Sequence, residues 1–195
     1  MRKRELPKEW AMLTAHLTRM WFTPTRGASS WLWLSFFVIL LDQIAKAMVM
    51  RSIELYDSIE LLPVLKLTHL HNTGAAFSML ANAGGWQRWM FIGLAVGVSA
   101  WLMVWLRRIR LPDQTLLAVG LSLIVGGALG NAIDRVWLGY VVDFIWAHWG
   151  DAFFPAFNIA DSAISVGAGC LLLDALLESG RIKRAEQDRR ENSAR

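Results

Sequence analysis

Apolar residues occur in four long runs, which are separated by shorter stretches that are richer in polar residues. The runs cover residues 31–50, 86–106, 116–136 and 159–177. A helix of about 20 apolar residues is long enough to cross the hydrocarbon core of a membrane. The pattern therefore predicts an α-helical membrane protein with four transmembrane helices.

Two connecting stretches have a different character. Residues 51–72 show partial alternation of apolar and polar positions, which predicts strands of a small sheet with Leu65, Leu67 and His69 on one face. Residues 137–158 contain several Gly, Pro and Trp residues and no Lys or Arg, so a loop or a re-entrant segment is predicted there. We expect both stretches to form a small β-sheet and loop region on one side of the membrane.

Composition and charge agree with a membrane class and orient the spans. Hydrophobic residues make up 55% of the 195 residues, and the formal net charge is +4. The cations cluster at the two chain ends and around residues 107–110, instead of forming the basic stripe that would bind nucleic acid. Because positively charged loops stay in the cytoplasm, both termini are predicted to be cytoplasmic and the sheet region to lie on the outer side.

Three segments follow from this division. Residues 1–28 are predicted to be a basic cytoplasmic segment, either amphipathic on the membrane surface or disordered. Residues 29–178 form the four-span domain, and residues 179–195 a basic cytoplasmic tail. Cys170 is the single cysteine and lies in an apolar run, which favours a small buried hydrophobe over a catalytic thiol.

Charged residues inside the first run need an explanation, because ionisable groups are costly within a membrane. Asp42 and Lys46 are four residues apart and so lie on the same face of a helix. They are predicted to pair with each other or to reach polar groups of a neighbouring span. The alternative is an ion pair that only stabilises the first helix.

The third run and the segments after it contain three more carboxylates. Asp134 is next to Arg135 and close to Asn131, which suggests an internal ion pair that makes Asp134 a structural anchor. Asp143 lies among apolar residues and has no adjacent cation. At the start of the fourth run, Asn158 and Asp161 have the same three-residue spacing of an amide and an acid as Asn131 and Asp134.

Two carboxylates from different segments could form a proton-sharing pair, as in aspartic proteases. Near such a pair, Asn72 could hold a substrate carbonyl, or it could only cap its own turn, and Gly74 would allow close approach of the backbone to a ligand. A zinc site at His69 and His71 is the less favoured alternative, because no further metal-ligand motif is present. A small membrane transporter and a non-catalytic membrane scaffold also remain open from these residues alone.

Five ordered motifs carry a family resemblance. They are the pattern of Asp42, Gln43 and Lys46, then NTGAAF at 72–77, GGALGNAIDR at 126–135, VVDF at 141–144 and FNIADS at 157–162. With these motifs the chain resembles the bacterial lipoprotein signal peptidases, also called type II signal peptidases, from about residue 31 to residue 177.

The resemblance implies an inner-membrane aspartyl endopeptidase with its site toward the periplasm. Its substrates would be prolipoproteins, cut before a diacylglyceryl-modified cysteine, and the cyclic peptide globomycin would be an inhibitor. By motif position, Asp143 and Asp161 would be the catalytic pair. Supporting positions would be Asn72, Asn131, Arg135 and Asn158, with Asp42, Lys46 and Asp134 nearby. We further expect a monomer that contacts membrane lipids and needs no metal or other cofactor.

Overall fold

The computed structural model describes residues 28–74, 84–109, 111, 114–150 and 152–193. The amino-terminal segment predicted over residues 1–28 lies outside this part of the chain, apart from Ala28. The closing section of the motif at 72–77 also lies outside it.

Four long helices form the body of the protein. A short 3-10 turn, Ala28–Trp31, leads into α1, Leu32–Ser52, and the other helices are α2, Trp86–Leu106, α3, Thr115–Trp137, and α4, Ile159–Ser193. All four contain a segment that is long and apolar enough to cross a membrane. The predicted class, an α-helical membrane protein with four spans, is confirmed, and the candidate spans lie within a few residues of the predicted ones. Helix α4 continues beyond the fourth candidate span, Ile159–Arg181, to Ser193.

The extramembrane region is a four-stranded antiparallel sheet. Its strands are β1, Ser58–Leu62, β2, Leu65–Asn72, β3, Val141–Trp149, and β4, Ala152–Phe153, and they lie in the spatial order of their numbers. The loop or re-entrant segment predicted for residues 137–158 is therefore wrong. Most of that stretch is strand, since β3 pairs along its length with β2, and this partner lies some 70 residues earlier in the sequence.

The predicted alternation in β2 is also only partly right. The register between β2 and β3 shifts between Leu67 and Leu70, and the adjacent residues Thr68 and His69 are both buried. A bulge of this kind places consecutive side chains in similar surroundings and interrupts the period of two.

Helix α3 is central and contacts each of the other three helices. Two adjacent glycines of α3 face different neighbours: a Cβ atom on Gly126 would lie 2.8 Å from Val38 of α1, and one on Gly127 would contact the carbonyl oxygen of Ala160 in α4. The small residues of the third span therefore allow close packing against two neighbouring helices.

Backbone pairing between β3 and the segment before α4 brings the ends of these elements together. Phe157 donates its N–H to Ile145 O at 3.0 Å and accepts from the N–H groups of Phe144 and Ile145 at 3.0 and 2.8 Å. These bonds hold the start of α4 beside the first half of β3. The sheet and the amino terminus of α4 therefore meet above the end of α3.

Candidate active site

A cavity of about 490 Å³ lies where the sheet, the end of α3 and the start of α4 meet. Its polar end includes both carboxylates of the predicted pair. The polar lining residues are Asn72, Asn131, Arg135, Asp143, Asp161, Ser162 and Ser165, and the apolar lining residues are Val141, Phe154, Pro155, Ala156, Phe157, Ile164 and Val166. One end can thus hold polar groups while the remaining wall contacts apolar ones.

Asp143 lies on β3 and is held by the side-chain amides of two asparagines. Its Oδ1 accepts from Asn158 Nδ2 at 2.8 Å, its Oδ2 accepts from Asn72 Nδ2 at 3.0 Å, and the residue is 4% exposed. Burial raises the pKa of Asp143 to about 7, and the nearby charge of Asp161 acts in the same direction. The two amide bonds favour the ionised form and limit this rise, so Asp143 can exchange a proton near neutral pH.

Asp161 lies in the first turn of α4. Its Oδ1 accepts from Asn131 Nδ2 at 2.7 Å, and its Oδ2 accepts from the backbone N–H of Asn158 at 3.3 Å. In return, Asn158 Oδ1 accepts from the N–H of Asp161 at 2.9 Å. This reciprocal arrangement caps the helix. Asn158 therefore links the two acids, since it bonds to Asp143 through its side chain and to Asp161 through its backbone.

Asn72 combines both of the roles that its sequence position allows. Its Oδ1 accepts from the N–H of Gly74 at 3.0 Å, which is the turn-capping bond, while its Nδ2 donates to Asp143. The carbonyl of Gly74 in turn accepts from Arg135 Nη2 at 2.9 Å. The turn after β2 is thereby attached to α3.

The ion pair predicted between Asp134 and Arg135 is wrong. Asp134 Oδ2 instead lies 2.8 Å from Lys46 Nζ, whereas Arg135 donates to the carbonyls of Asn131 and Gly74 and lies over the ring of Phe91. Neighbouring side chains on a helix differ in direction by roughly 100°, so adjacent residues point apart. Asp134 is still held by a fixed cation, but the cation comes from α1.

Lys46 is the centre of a buried network below the cavity. Its Nζ lies 2.7 Å from Asp42 Oδ2, 2.8 Å from Asp134 Oδ2 and 3.0 Å from Asn131 Oδ1. The predicted pair of Asp42 and Lys46 is confirmed, and so is the predicted contact with a neighbouring span. Asp42 also accepts from the N–H of Ala160 at 2.9 Å, so the network joins three helices.

The sequence interpretation named Gln43 only as part of a motif and missed its role. Its Nε2 donates to Asp134 Oδ1 at 2.8 Å and to the carbonyl of Gly130 at 3.2 Å, which links α1 to α3. A polar amide inside an apolar run was the available signal, because such groups need a partner within the protein.

The histidines contact each other. His71 Nε2 lies 3.2 Å from His69 Nε2, and the His71 ring stacks on Tyr140 with centroids 3.6 Å apart. Burial, together with the charge of His69, lowers the pKa of His71. Within the described ranges no group of three or more His, Cys, Asp or Glu residues could hold a metal ion. Cys170 is partly buried in α4.

The fold and the site together define a class. Four helices can cross a membrane, and two carboxylates line a cavity where these helices meet a small sheet. These are the features of a small multi-pass membrane enzyme.

Comparison with known proteins identifies the family. The sequence model of signal peptidase II matches residues 34–177. The lipoprotein signal peptidase of Shewanella pealeana is 49% identical over 156 residues, covering 80% of this chain and 91% of that protein. The lipoprotein signal peptidase of Pseudomonas aeruginosa is 51% identical over 150 residues, covering 76% and 88% of the two chains.

A solved structure agrees with this assignment. It is described as a bacterial membrane enzyme determined by the in meso method at 2.3 Å resolution, and it superposes with a TM-score of 0.69 at 31% identity over 78% of this chain and 90% of that one. The chain belongs to the signal peptidase II family and is a multi-pass membrane peptidase. Membership in a peptidase family replaces the transporter and scaffold hypotheses.

Proposed function

We propose that this protein is an aspartyl endopeptidase that removes signal peptides from prolipoproteins by cutting immediately before a diacylglyceryl-modified cysteine. The observation that carries the proposal is the placement of Asp143 and Asp161 at one cavity, linked through Asn158. The lipoprotein signal peptidases among its relatives support the substrate class.

The two carboxylates have different roles in peptide hydrolysis. One ionised carboxylate takes a proton from water as the water oxygen attacks the scissile carbonyl carbon. The other carboxylate is protonated, donates a hydrogen bond to the carbonyl oxygen, and later helps to protonate the leaving amine. The pair as a whole holds one proton before attack, because two neighbouring carboxylates do not both ionise easily.

The surroundings of the acids favour one assignment of these roles. Asp143 carries the shared proton, since burial raises its pKa to about 7. Asp161 is the ionised partner that activates water, because it lies in the first turn of α4, where the helix dipole favours an anion. Asn131 and the backbone of Asn158 both donate to this carboxylate.

The remaining walls of the cavity fit a lipid-modified peptide. Apolar residues such as Phe154, Ile164 and Val166 would contact acyl chains or the apolar signal segment, and the polar end would hold the peptide bond to be cut. A cyclic peptide inhibitor of the globomycin type would occupy the same space. The enzyme works as a monomer in the inner membrane, with its site toward the periplasm, and requires no cofactor.

The test uses purified protein in detergent and a diacylglyceryl-modified precursor. Asp143→Asn and Asp161→Asn should each lower the cleavage rate by a factor of about 10³ or more, as losses of catalytic carboxylates do, while the protein still inserts and accumulates. Asp57→Asn is the matched control, because Asp57 is exposed and its bond to the N–H of Ser58 can be kept by an amide oxygen. It should cleave at the normal rate.

Normal cleavage by a folded Asp143→Asn or Asp161→Asn variant would exclude the proposed pair. Globomycin should abolish cleavage by the unchanged enzyme. An unlipidated precursor should be cut far more slowly than the lipidated one, and equal rates for the two would rule out the proposed specificity.

A further inference from the structure

Three asparagines present an amide nitrogen to the proposed catalytic carboxylates. Asn72 and Asn158 donate to Asp143 at 3.0 and 2.8 Å, and Asn131 donates to Asp161 at 2.7 Å. Rotation of an amide group by 180° would exchange its nitrogen and oxygen and would point an acceptor at an acceptor. What decides the orientation of each amide is therefore the group that bonds to its oxygen.

Two of the three amides are oriented by the main chain. Asn72 Oδ1 accepts from the N–H of Gly74 at 3.0 Å, and Asn158 Oδ1 accepts from the N–H of Asp161 at 2.9 Å. A backbone N–H can only donate. These two orientations are consequently set by the local conformation of the chain and need no other side chain.

Asn131 is oriented differently. Its Oδ1 faces the ammonium group of Lys46 at 3.0 Å and the Nδ2 of Asn158 at 3.2 Å. If the amide of Asn131 rotated, its NH₂ group would face two other donors. An ammonium group has three N–H donors and no acceptor, so this contact permits a single orientation.

Lys46 is itself held rigidly in place. It is 1% exposed, and its Nζ bonds to Asp42 Oδ2 at 2.7 Å and to Asp134 Oδ2 at 2.8 Å in addition to Asn131. Its three donors are thus all used. Lys46 is not among the residues that line the cavity, so it does not touch a substrate bound there.

We propose that Lys46 is a positioning residue that fixes the amide of Asn131 so that Asp161 receives a donor and not an oxygen atom. This inference rests on the proposed function. The charged groups around the contact are Asp42 on α1, Asp134 and Arg135 on α3, Asp161 on α4 and Asp143 on β3. Lys46 does not contact the reacting groups and acts on catalysis by orienting Asn131. Residues that hydrogen-bond to the ligands of a metal ion orient those ligands in the same way.

A double-mutant cycle tests the inference. Lys46→Met, Asn131→Ala and the double variant are compared by kcat, by KM and by the pH profile of kcat with the lipidated precursor. Lys46→Met should lower kcat by about 10- to 100-fold with little change in KM, which is the loss typical for such orienting partners. The acidic limb of the profile should move to higher pH, because the ionised carboxylate that activates water loses a donor.

The double variant gives the decisive comparison. If Lys46 acts through Asn131, adding Lys46→Met to Asn131→Ala should lower the plateau value of kcat no further. Additive losses of kcat would overturn the inference. They would mean that Lys46 acts on the acids by a route that does not include Asn131. An unchanged profile in the single Lys46→Met variant would overturn it as well.

A further variant controls for loss of folding. Removal of Lys46 alone leaves two buried carboxylates without their cation, which is strongly destabilising. Lys46→Met combined with Asp134→Asn removes one positive and one negative charge together, and the same cycle can be run in that background. Failure of the proposed function is recognised separately, because it would appear as normal cleavage by Asp143→Asn or Asp161→Asn.

Discussion

The four aspartates in and around the site divide into two kinds by their partners. Asp42 and Asp134 each contact the ammonium group of Lys46, whereas Asp143 and Asp161 are held by amide groups only. A full positive charge compensates a buried carboxylate far better than a neutral donor does. Asp143, in the second pair, has a pKa raised to about 7 and can consequently exchange a proton near neutral pH.

The hydrogen bond between Asn72 and Asp143 should have a measurable effect on the pH dependence of cleavage. Asn72→Ala removes a donor that favours the ionised carboxylate, so the pKa of Asp143 should rise further. Because Asp143 is proposed to work in its protonated form, the alkaline limb of the pH profile of kcat should move to higher pH. The measurement is the initial cleavage rate of a lipidated precursor between about pH 5 and pH 9, a range that brackets the raised pKa.

Asn192→Ala is the control for that change, since Asn192 is exposed near the end of α4. Its profile should match the unchanged enzyme. A limb that stays in place or moves to lower pH in Asn72→Ala would contradict the role given to Asp143.

At the scale of elements, the packing of α3 sets the position of the acids. Gly127 lies against the backbone carbonyl of Ala160, directly before Asp161, and Asp42 of α1 accepts from the N–H of Ala160. The first turn of α4 is thus fixed from two sides. A shift of α4 away from α3 would carry Asp161 away from Asn131.

Gly127→Ala should therefore lower both stability and activity. The new methyl group would collide with backbone, which cannot rotate aside as a side chain can, and overpacking of this kind costs about 1 to 3 kcal/mol. Thermal unfolding in detergent should show a lower Tm. The cleavage rate of the protein that remains folded should fall by at least several-fold.

Gly97→Ala is the matched control within α2, because nothing lies within 4 Å of a Cβ atom at that position. It should leave the Tm and the cleavage rate close to those of the unchanged protein. Equal losses of Tm in the two variants would show that the contact with Ala160 is not responsible, since alanine is the better helix former at both positions.

At the scale of the whole molecule, the spans and the distribution of cations predict which side each region faces. The sheet lies at one end of the helices, and the basic end of α4 follows the fourth span. From the rule that basic segments remain in the cytoplasm, we predict that the sheet and the cavity face the periplasm.

Cysteine labelling can test this orientation. In a Cys170→Ala background, Glu60→Cys in β1 and Arg184→Cys in α4 each introduce a thiol at an exposed position. A membrane-impermeant maleimide should label Glu60→Cys in intact spheroplasts, and Arg184→Cys only after lysis. The reverse pattern would contradict the proposed orientation.

The sequence alone was sufficient for the four spans, and it named the residues that are proposed to form the site. Spans depend on the length and composition of continuous runs, which are local properties that a folded context does not change. The motifs around Asp143 and Asp161 identified the acids by resemblance, and their shared cavity agrees with that choice. The pair of Asp42 and Lys46 was also predictable, because contacts between residues four apart follow from helix geometry alone.

Only the tertiary structure decided how these parts are connected. It showed that residues 141–149 are a strand, since a strand is defined by a partner that lies far away in sequence. It showed that the ionic partner of Asp134 is Lys46 from another helix, and not the predicted Arg135. It also showed that Asn131 is oriented by the same lysine. Such contacts depend on which helix faces which, and that is determined by packing across the whole molecule and not by any local pattern.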